Sequence, residues 1–174
     1  AKPTAIIVVD KATAAAINSL ADGTRVDLTG TLGQGQTWNA IGKITGSDPK
    51  LASEVIVLSA HLDHIGVQQN APGNDDASGS VAVMEIARVL ARGKRPKRTI
   101  YFVCFGSEEA GGFGSRFFLA NLPFPKEKFI ANLQFEMIGR PDTKVKPGEL
   151  WLTGFERSNL GPELVRRGAR LVID

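Results

Sequence analysis

Acidic side chains and one histidine stand at the ends of predicted strands, where they can share a metal ion. The acidic members are, in chain order, Asp63, Asp75, Asp76, Glu108, Glu109 and Glu136. The chain has two histidines, His61 and His64, three positions apart. His61 offers an imidazole whose second nitrogen the Asp63 carboxylate can hold. Hydrolytic zinc sites usually contain more histidine nitrogen than this, so the residues predict a metal site that lacks one ligand.

Two nearly continuous apolar runs predict the strands that position these side chains. Residues 54–60 and 99–105 have the composition of strands that are covered on both faces. Weaker strand patterns occupy residues 5–9, 39–44, 131–137 and 149–152. Cys104, the only cysteine, lies inside the second apolar run, so we expect a buried and inert thiol.

Helical patterns alternate with the strands. Apolar side chains from Val83 to Leu90 recur at helical spacing and predict a helix over residues 81–92, opened by residues 78–80. Further helices are predicted over residues 11–20, capped by Asp10, over residues 114–121, and from a Ser158 cap to Arg170. This alternation predicts an α/β fold of three layers, with helices on both faces of a mostly parallel central sheet.

The predicted topology brings the polar segments to one edge of the sheet. His61 directly follows one strand and Glu108 follows the next. Glu136 closes a third strand, and Asp75 lies in a glycine-containing loop that leads into a helix. Ligands of open α/β sheets bind beyond the carboxyl ends of the strands, so we expect these residues to meet there. An acid inside the apolar segment around Glu136 is costly to bury without a partner.

Composition and charge describe an ordinary globular domain. The net charge of +3 is too small for a typical nucleic-acid-binding domain. The one basic cluster, residues 92–98, contains no aromatic side chain, and we interpret it as a solvated connection between a helix and a strand. No apolar stretch reaches membrane-spanning length, and the first residues lack the pattern of a signal peptide. Neither nucleic acid nor a membrane is an expected partner.

The number of carboxylates in these segments is compatible with a site in which two metal ions hydrolyse an amide bond. That chemistry needs an activated water, a Lewis acid on the carbonyl oxygen and a proton shuttle. Either Asp75 or Asp76 can bridge two ions, because a short side chain on a tight loop can face both. Of Glu108 and Glu109, one can bind metal while its neighbour faces the water.

Four segments of the chain resemble peptidase family M28, the two-zinc aminopeptidases that share a fold with glutamate carboxypeptidases and glutaminyl cyclases. The resembling segments, matched in order and spacing over residues 38–174, are residues 60–66, 72–80, 105–111 and 134–140. The resemblance implies the zinc exopeptidase fold, again with three α/β/α layers. It also implies a zinc-dependent aminopeptidase that removes N-terminal residues from peptides, with two zinc ions in the complete enzyme.

The resemblance assigns a role to each residue of the first zinc site. His61, Asp75 and Glu136 are its implied ligands, with Asp63 behind His61. Glu136 stands where many members of the family have aspartate. Asp75 is also implied to bridge both zinc ions, at a backbone bend that is often a cis peptide in the family.

The second zinc site is implied to be incomplete. Glu108 is the implied general base and acid for the water that bridges the two ions, and Glu109 the implied ligand of the second zinc. The family's second histidine ligand lies further downstream, and this chain has no such residue before Asp174. The second zinc would then keep only Asp75 and Glu109.

The same resemblance divides the chain and implies that it is part of a longer peptidase. Residues 1–37 resemble the tail of a protease-associated segment or a linker, and residues 38–174 the N-terminal part of the catalytic domain. The sheet is then expected to be truncated on its C-terminal side and to self-associate through the exposed edge. The family implies a secreted or periplasmic location.

Two other functions stay open at this point. A glutaminyl-cyclase-like acyltransferase of the same fold would keep the bridging and base residues. A non-catalytic binding module on the same fold is favoured by the missing histidine and disfavoured by the retained Glu108.

Overall fold

The computed structural model describes residues 9–27, 35–65, 73–141 and 143–173. The chain divides into two compact units, residues 1–35 and residues 36–174. The division lies close to the predicted boundary at residue 38, and the interpretation of the first unit as a protease-associated tail stays a prediction.

The described part of the first unit contains one helix, α1 (Lys11–Asn18). Asp10 caps it, because its Oδ1 accepts a hydrogen bond from the Thr13 backbone N–H at 2.7 Å. The predicted helix and its cap are therefore confirmed, and the helix ends at Asn18 rather than at residue 20. The strand predicted over residues 5–9 lies outside the described residues except for Val9, which is not in a strand.

The second unit is built on a four-stranded sheet. Its strands are β1 (Ala40–Ile44), β2 (Val55–His61), β3 (Thr99–Phe105) and β4 (Phe129–Gln134). They lie in the order β1-β3-β2-β4. Strands β2, β3 and β4 are parallel, whereas β1 pairs with β3 in the antiparallel sense. The predicted mostly parallel sheet is confirmed.

Two helices cover opposite faces of this sheet, α2 (Ala77–Arg92) and α3 (Phe113–Ala120). Val83 of α2 packs in one buried cluster with Phe102 of β3. On the other face, the Phe118 ring of α3 lies 5.6 Å from the Phe105 ring. Strands β2 and β3 supply apolar side chains to both clusters, which is why their sequences are almost continuously apolar. The predicted three layers are confirmed.

A smaller parallel sheet follows, formed by β5 (Leu150–Leu152) and β6 (Leu171–Ile173) around helix α4 (Leu160–Arg166). The sequence predicted β5 but not β6, which has three residues. Helix α4 is shorter than predicted at its C-terminal end, because Gly168 adopts a left-handed φ of 93° two residues after Arg166.

Two further predicted boundaries are wrong, and the Asp76 side chain explains both. Helix α2 begins at Ala77 rather than residue 81, because Asp76 caps it by accepting the Gly79 backbone N–H at 3.0 Å. Strand β4 ends at Gln134 rather than residue 137, because the Met137 N–H also turns toward Asp76, at 3.2 Å. Glu136 therefore lies beyond the strand and is exposed, so it does not incur the cost of burying an acid inside an apolar strand.

The thiol of Cys104 is buried in β3, as predicted. Burial raises its pKa above the ordinary value, which keeps the thiol protonated and unreactive at neutral pH.

Candidate metal and proton-transfer site

The imidazole of His61 is fully buried at the C-terminal end of β2. Its Nδ1 lies 2.8 Å from the backbone carbonyl oxygen of Asp63. A carbonyl oxygen can only accept, so Nδ1 carries the proton and donates it. The His61 carbonyl oxygen in turn accepts a hydrogen bond from Ser80 Oγ at 2.6 Å, which ties the strand end to α2. The ring is therefore held in one tautomer and one orientation.

The other ring nitrogen of His61 faces a carboxylate. Nε2 lies 3.0 Å from Asp75 Oδ1. In the neutral ring Nε2 bears a lone pair, so two acceptors meet at this distance and need a proton or a metal cation between them. Burial lowers the pKa of the His61 imidazole, but the Asp63 carbonyl and three carboxylates outweigh it. The net pKa is raised, and the carboxylates are those of Asp76, Glu108 and Asp75.

The carboxylate of Asp63 holds two backbone amides of the neighbouring loop. Its Oδ1 accepts the Glu108 N–H at 2.9 Å and its Oδ2 accepts the Glu109 N–H at 3.1 Å. It lies 3.7 Å from His61 Nδ1, beyond hydrogen-bonding distance. The sequence predicted that this carboxylate would hold the ring nitrogen. In the structure the Asp63 carbonyl does so, and the carboxylate positions the two glutamates.

A tight turn after β3 carries Glu108 and Glu109, both half-buried. The Glu108 carbonyl oxygen accepts the N–H groups of Gly111 and Gly112, at 2.8 and 2.7 Å. Ser107, directly before the pair, has a left-handed φ of 53°. That conformation is uncommon for a residue with a side chain and reverses the chain toward Asp63.

Asp76 is the residue that the sequence left without a separate role. It is 1% exposed, and its carboxylate accepts three backbone N–H groups. These come from His61 at 3.1 Å, Gly79 at 3.0 Å and Met137 at 3.2 Å. One buried carboxylate thus joins the end of β2, the start of α2 and the turn after β4. The peptide bond between Asp75 and Asp76 is cis.

Side chains that precede and follow Asp76 in the sequence hold the turn that carries Glu136. Asn74 Oδ1 accepts the Gly139 N–H at 2.8 Å, and Ser78 Oγ accepts the Ile138 N–H at 3.1 Å. Gly79 allows this approach, because a Cβ there would overlap the Phe135 carbonyl oxygen and the Asp76 carboxylate.

Two groups of potential ligands converge on His61. One ligand atom from each of His61, Asp75 and Glu136 lies within 4.8 Å of the other two, and the same holds for His61, Glu108 and Glu109. The structure therefore brings together the side chains that the sequence singled out, apart from Asp63 and Asp76, which bind backbone amides. His64 is exposed and belongs to neither group among the described residues.

A cavity of about 450 Å³ opens beside Glu136. Its apolar walls include Met137, Ile138, Leu150 and Trp151. The cavity lies between the turn after β4 and the segment leading into β5, so it borders the first ligand group.

Comparison with known proteins identifies one family. The profile of peptidase family M28 matches residues 39–164. Leupeptin-inactivating enzyme 1 of Streptomyces exfoliatus is 38% identical over 107 residues, which cover 60% of this chain and 23% of that protein. An aminopeptidase of Pseudomonas aeruginosa is 38% identical over 109 residues, which cover 62% of this chain and 19% of that protein. These matches extend over about a fifth of the length of each curated relative.

Solved structures show the same fold. An aminopeptidase from Aneurinibacillus sp. strain AM-1 superposes with a TM-score of 0.61 at 25% identity, covering 78% of this chain and 34% of that chain. A zinc aminopeptidase from Bacillus subtilis superposes with a TM-score of 0.62, at the same identity and coverage. The chain thus spans about a third of the length of these structures.

Proposed function

This chain belongs to peptidase family M28, and from that premise we propose that it carries metal-binding and proton-transfer groups of a zinc-dependent aminopeptidase. The relatives named aminopeptidase extend well beyond the span that this chain matches. The activity is therefore proposed for the longer enzyme, and the groups that support it are those of the described residues.

The proposal rests on the contact between His61 Nε2 and Asp75 Oδ1, two atoms that both accept hydrogen bonds when the ring is neutral. The 3.0 Å separation of Nε2 and Oδ1 can be bridged by a proton or by a metal cation, and the Asp63 carbonyl holds the proton of Nδ1 on the other side of the ring. With Glu136 added, the donor set is one imidazole nitrogen and two carboxylate oxygens, with a fourth position open. This set fits zinc, which when bound polarises a carbonyl oxygen and lowers the pKa of water.

Glu108 is the proposed proton carrier of the site. Its backbone is held by Asp63 and its side chain converges on His61, so the carboxylate is confined near the first ligand group. In this role it takes a proton from the attacking water and gives it to the leaving amine. Glu109, one residue on, is the proposed ligand of a second ion together with Asp75.

The cavity beside Glu136 is proposed to receive a side chain of the peptide substrate. It borders the first ligand group and combines apolar side chains with the charged Glu136, Arg140, Lys146 and Glu149, so its apolar surface can receive the apolar part of a substrate side chain. Most of the remaining substrate contacts are assigned to parts of the longer enzyme that this chain does not include.

We expect the purified chain to hold one zinc ion tightly and a second ion weakly. His61, Asp75 and Glu136 supply three ligands to the first ion, the usual number in catalytic sites. The second ion would have only the two proposed ligands, Asp75 and Glu109. Elemental analysis after gel filtration measures the ratio of zinc to protein.

The two histidines supply a matched control for this measurement. His61→Ala should abolish tight zinc binding, whereas His64→Ala should keep it, because His64 is exposed and outside both ligand groups. Two tightly held zinc ions per wild-type chain would contradict the proposed division of ligands.

We expect the isolated chain to hydrolyse leucine anilides poorly, even with added zinc. A two-metal mechanism would stabilise the transition state with both ions, and this chain offers the second ion only the two proposed ligands. The anchoring of the substrate amine is also incomplete, which weakens its orientation. Efficient zinc-dependent turnover by a monomer would show that two ligands suffice for the second ion.

The same preparation should self-associate. Among the described residues β4 pairs only with β2, so its other edge offers free backbone groups, and Ile130 on this strand is 52% exposed. Light scattering alongside the activity assay measures the mass of the particles. None of the helices in the described ranges has the length and apolar character needed to cross a bilayer. A secreted or periplasmic location is proposed from the family.

A further inference from the structure

The edge of the main sheet opposite the ligand groups is strongly basic. Strands β2, β3 and β4 are parallel, so the connections that enter them share this edge. These connections are residues 45–54, 93–98 and 121–128, which we call the basic edge. They contain seven lysines and arginines and three acids, a net charge of +4, whereas the whole chain carries +3. The rest of the chain therefore has a net charge of −1.

The other end of the same strands is acidic. The six carboxylates of the candidate site follow β2, β3 and β4 or precede α2. Charge is therefore separated along the strand direction, with cations where the strands begin and carboxylates where they end. A charged surface would attract one end of this unit and repel the other.

Backbone contacts fix two of the three connections to each other. The Ser47 N–H donates to the Pro96 carbonyl oxygen at 2.8 Å, and the Asp48 N–H donates to the Lys97 carbonyl oxygen at 3.2 Å. The cations on both connections are thus presented from a defined backbone.

Most cations of the basic edge are not neutralised by neighbouring acids. Lys50, Lys94, Lys97 and Lys126 are exposed, and none of them has a carboxylate partner within the described parts of the chain. Arg98 is the exception, since its Nε pairs with Glu54 at 2.5 Å. Four ammonium groups are therefore available to an external anion.

We propose that the basic edge docks this unit onto an anionic lipid surface, with the ligand groups facing away from it. The edge spans the starts of three strands, and its one aromatic side chain, Phe124, packs in the core with its ring centroid 4.9 Å from that of Tyr101. No other aromatic ring lies on this edge to stack on nucleic-acid bases. Clusters of lysine and arginine at a membrane surface bind anionic lipid headgroups, and the seven cations of the basic edge form such a cluster. This inference departs from the expectation, drawn from the sequence, of no membrane partner, and it does not depend on zinc.

Vesicle flotation of the whole chain tests the proposal. Vesicles of phosphatidylcholine with phosphatidylglycerol should bind the protein at low salt, and vesicles of phosphatidylcholine alone should not. The triple variant Lys50→Gln, Lys94→Gln, Lys97→Gln should lower the partition coefficient about a hundredfold, because each cation contributes roughly fivefold near an anionic surface. Raising the salt concentration should weaken wild-type binding in the same way.

A second triple variant removes the same charge elsewhere. Arg116→Gln, Lys146→Gln, Arg157→Gln should bind vesicles within a few fold of wild type, because these exposed cations lie outside the basic edge of the same unit. Lys126→Glu alone should lower binding at least fivefold, and it keeps the test valid if the edge triple variant does not fold. Absence of wild-type binding, equal loss in both triple variants, or binding to soluble polyphosphate without binding to vesicles would each overturn the proposal.

Discussion

Glu108→Gln should lower kcat by roughly 10²–10⁴-fold in an enzyme that carries this sequence at full family length, the usual effect of removing a general base. Glutamine keeps the size of the side chain and the backbone N–H that Asp63 accepts, so the turn after β3 stays in place. It cannot take a proton from water. Steady-state kinetics on a peptide substrate, together with zinc analysis of the same preparation, measure the effect.

Glu109→Gln is the matched control, because it makes the same chemical change one residue away. Its N–H is also held by Asp63, so the backbone should be unaffected. We expect this variant to lose bound metal, since Glu109 is assigned as a ligand of the second ion. If both variants kept their zinc and lost only turnover, the assignment of base and ligand would be wrong.

Asp76→Ala should lower the free energy of unfolding by about 3–5 kcal/mol, a large effect for one substitution. Alanine would leave three backbone N–H groups, those of His61, Gly79 and Met137, without their buried acceptor. It would also release the turn that carries Glu136, so zinc affinity should fall together with stability. Urea denaturation of the metal-free protein and chelator competition measure the two effects separately.

Two further variants test whether the hydrogen bonds of Asp76 cause the predicted loss of stability. Asp76→Asn keeps one acceptor oxygen and should be destabilised less than Asp76→Ala. Asp48→Ala removes a carboxylate that accepts the N–H groups of Lys50 and Leu51 in a partly buried loop, and should cost about 1 kcal/mol. If Asp76→Ala cost no more than Asp48→Ala, the three hydrogen bonds would have no special importance for the fold.

The central strands were predictable because a run of consecutive apolar residues indicates a strand that is buried on both faces. Strands β2 and β3 lie between two helical layers, so nearly every side chain in them is apolar, and both were predicted to within one residue. The position of His61, Asp75 and Glu108 at one edge then followed from parallel topology. The convergence of His61 with Asp75 and Glu136 agrees with the resemblance to the family.

The errors occur where a distant side chain overrides the local pattern. Residues 135–138 include Phe135, Met137 and Ile138, which continue the apolar pattern of a strand, yet β4 stops at Gln134. The Met137 amide is drawn to Asp76, and Met137 adopts a left-handed φ of 51°. No local propensity indicates such a turn. The exchange of roles between the carbonyl and the carboxylate of Asp63 likewise depends on three-dimensional geometry.

The hydrogen bonds that hold the Glu136 turn also affect the order in which a nascent chain forms its metal site. Met137 and Gly139 donate to side chains that precede them by 61 and 65 positions. His61 and Asp75 therefore leave the ribosome well before the third ligand and the amides that hold its turn. A chain released before residue 139 would contain both of these ligands in an unfinished site. We therefore expect the three proposed ligands to capture zinc together only after β4 has docked beside β2.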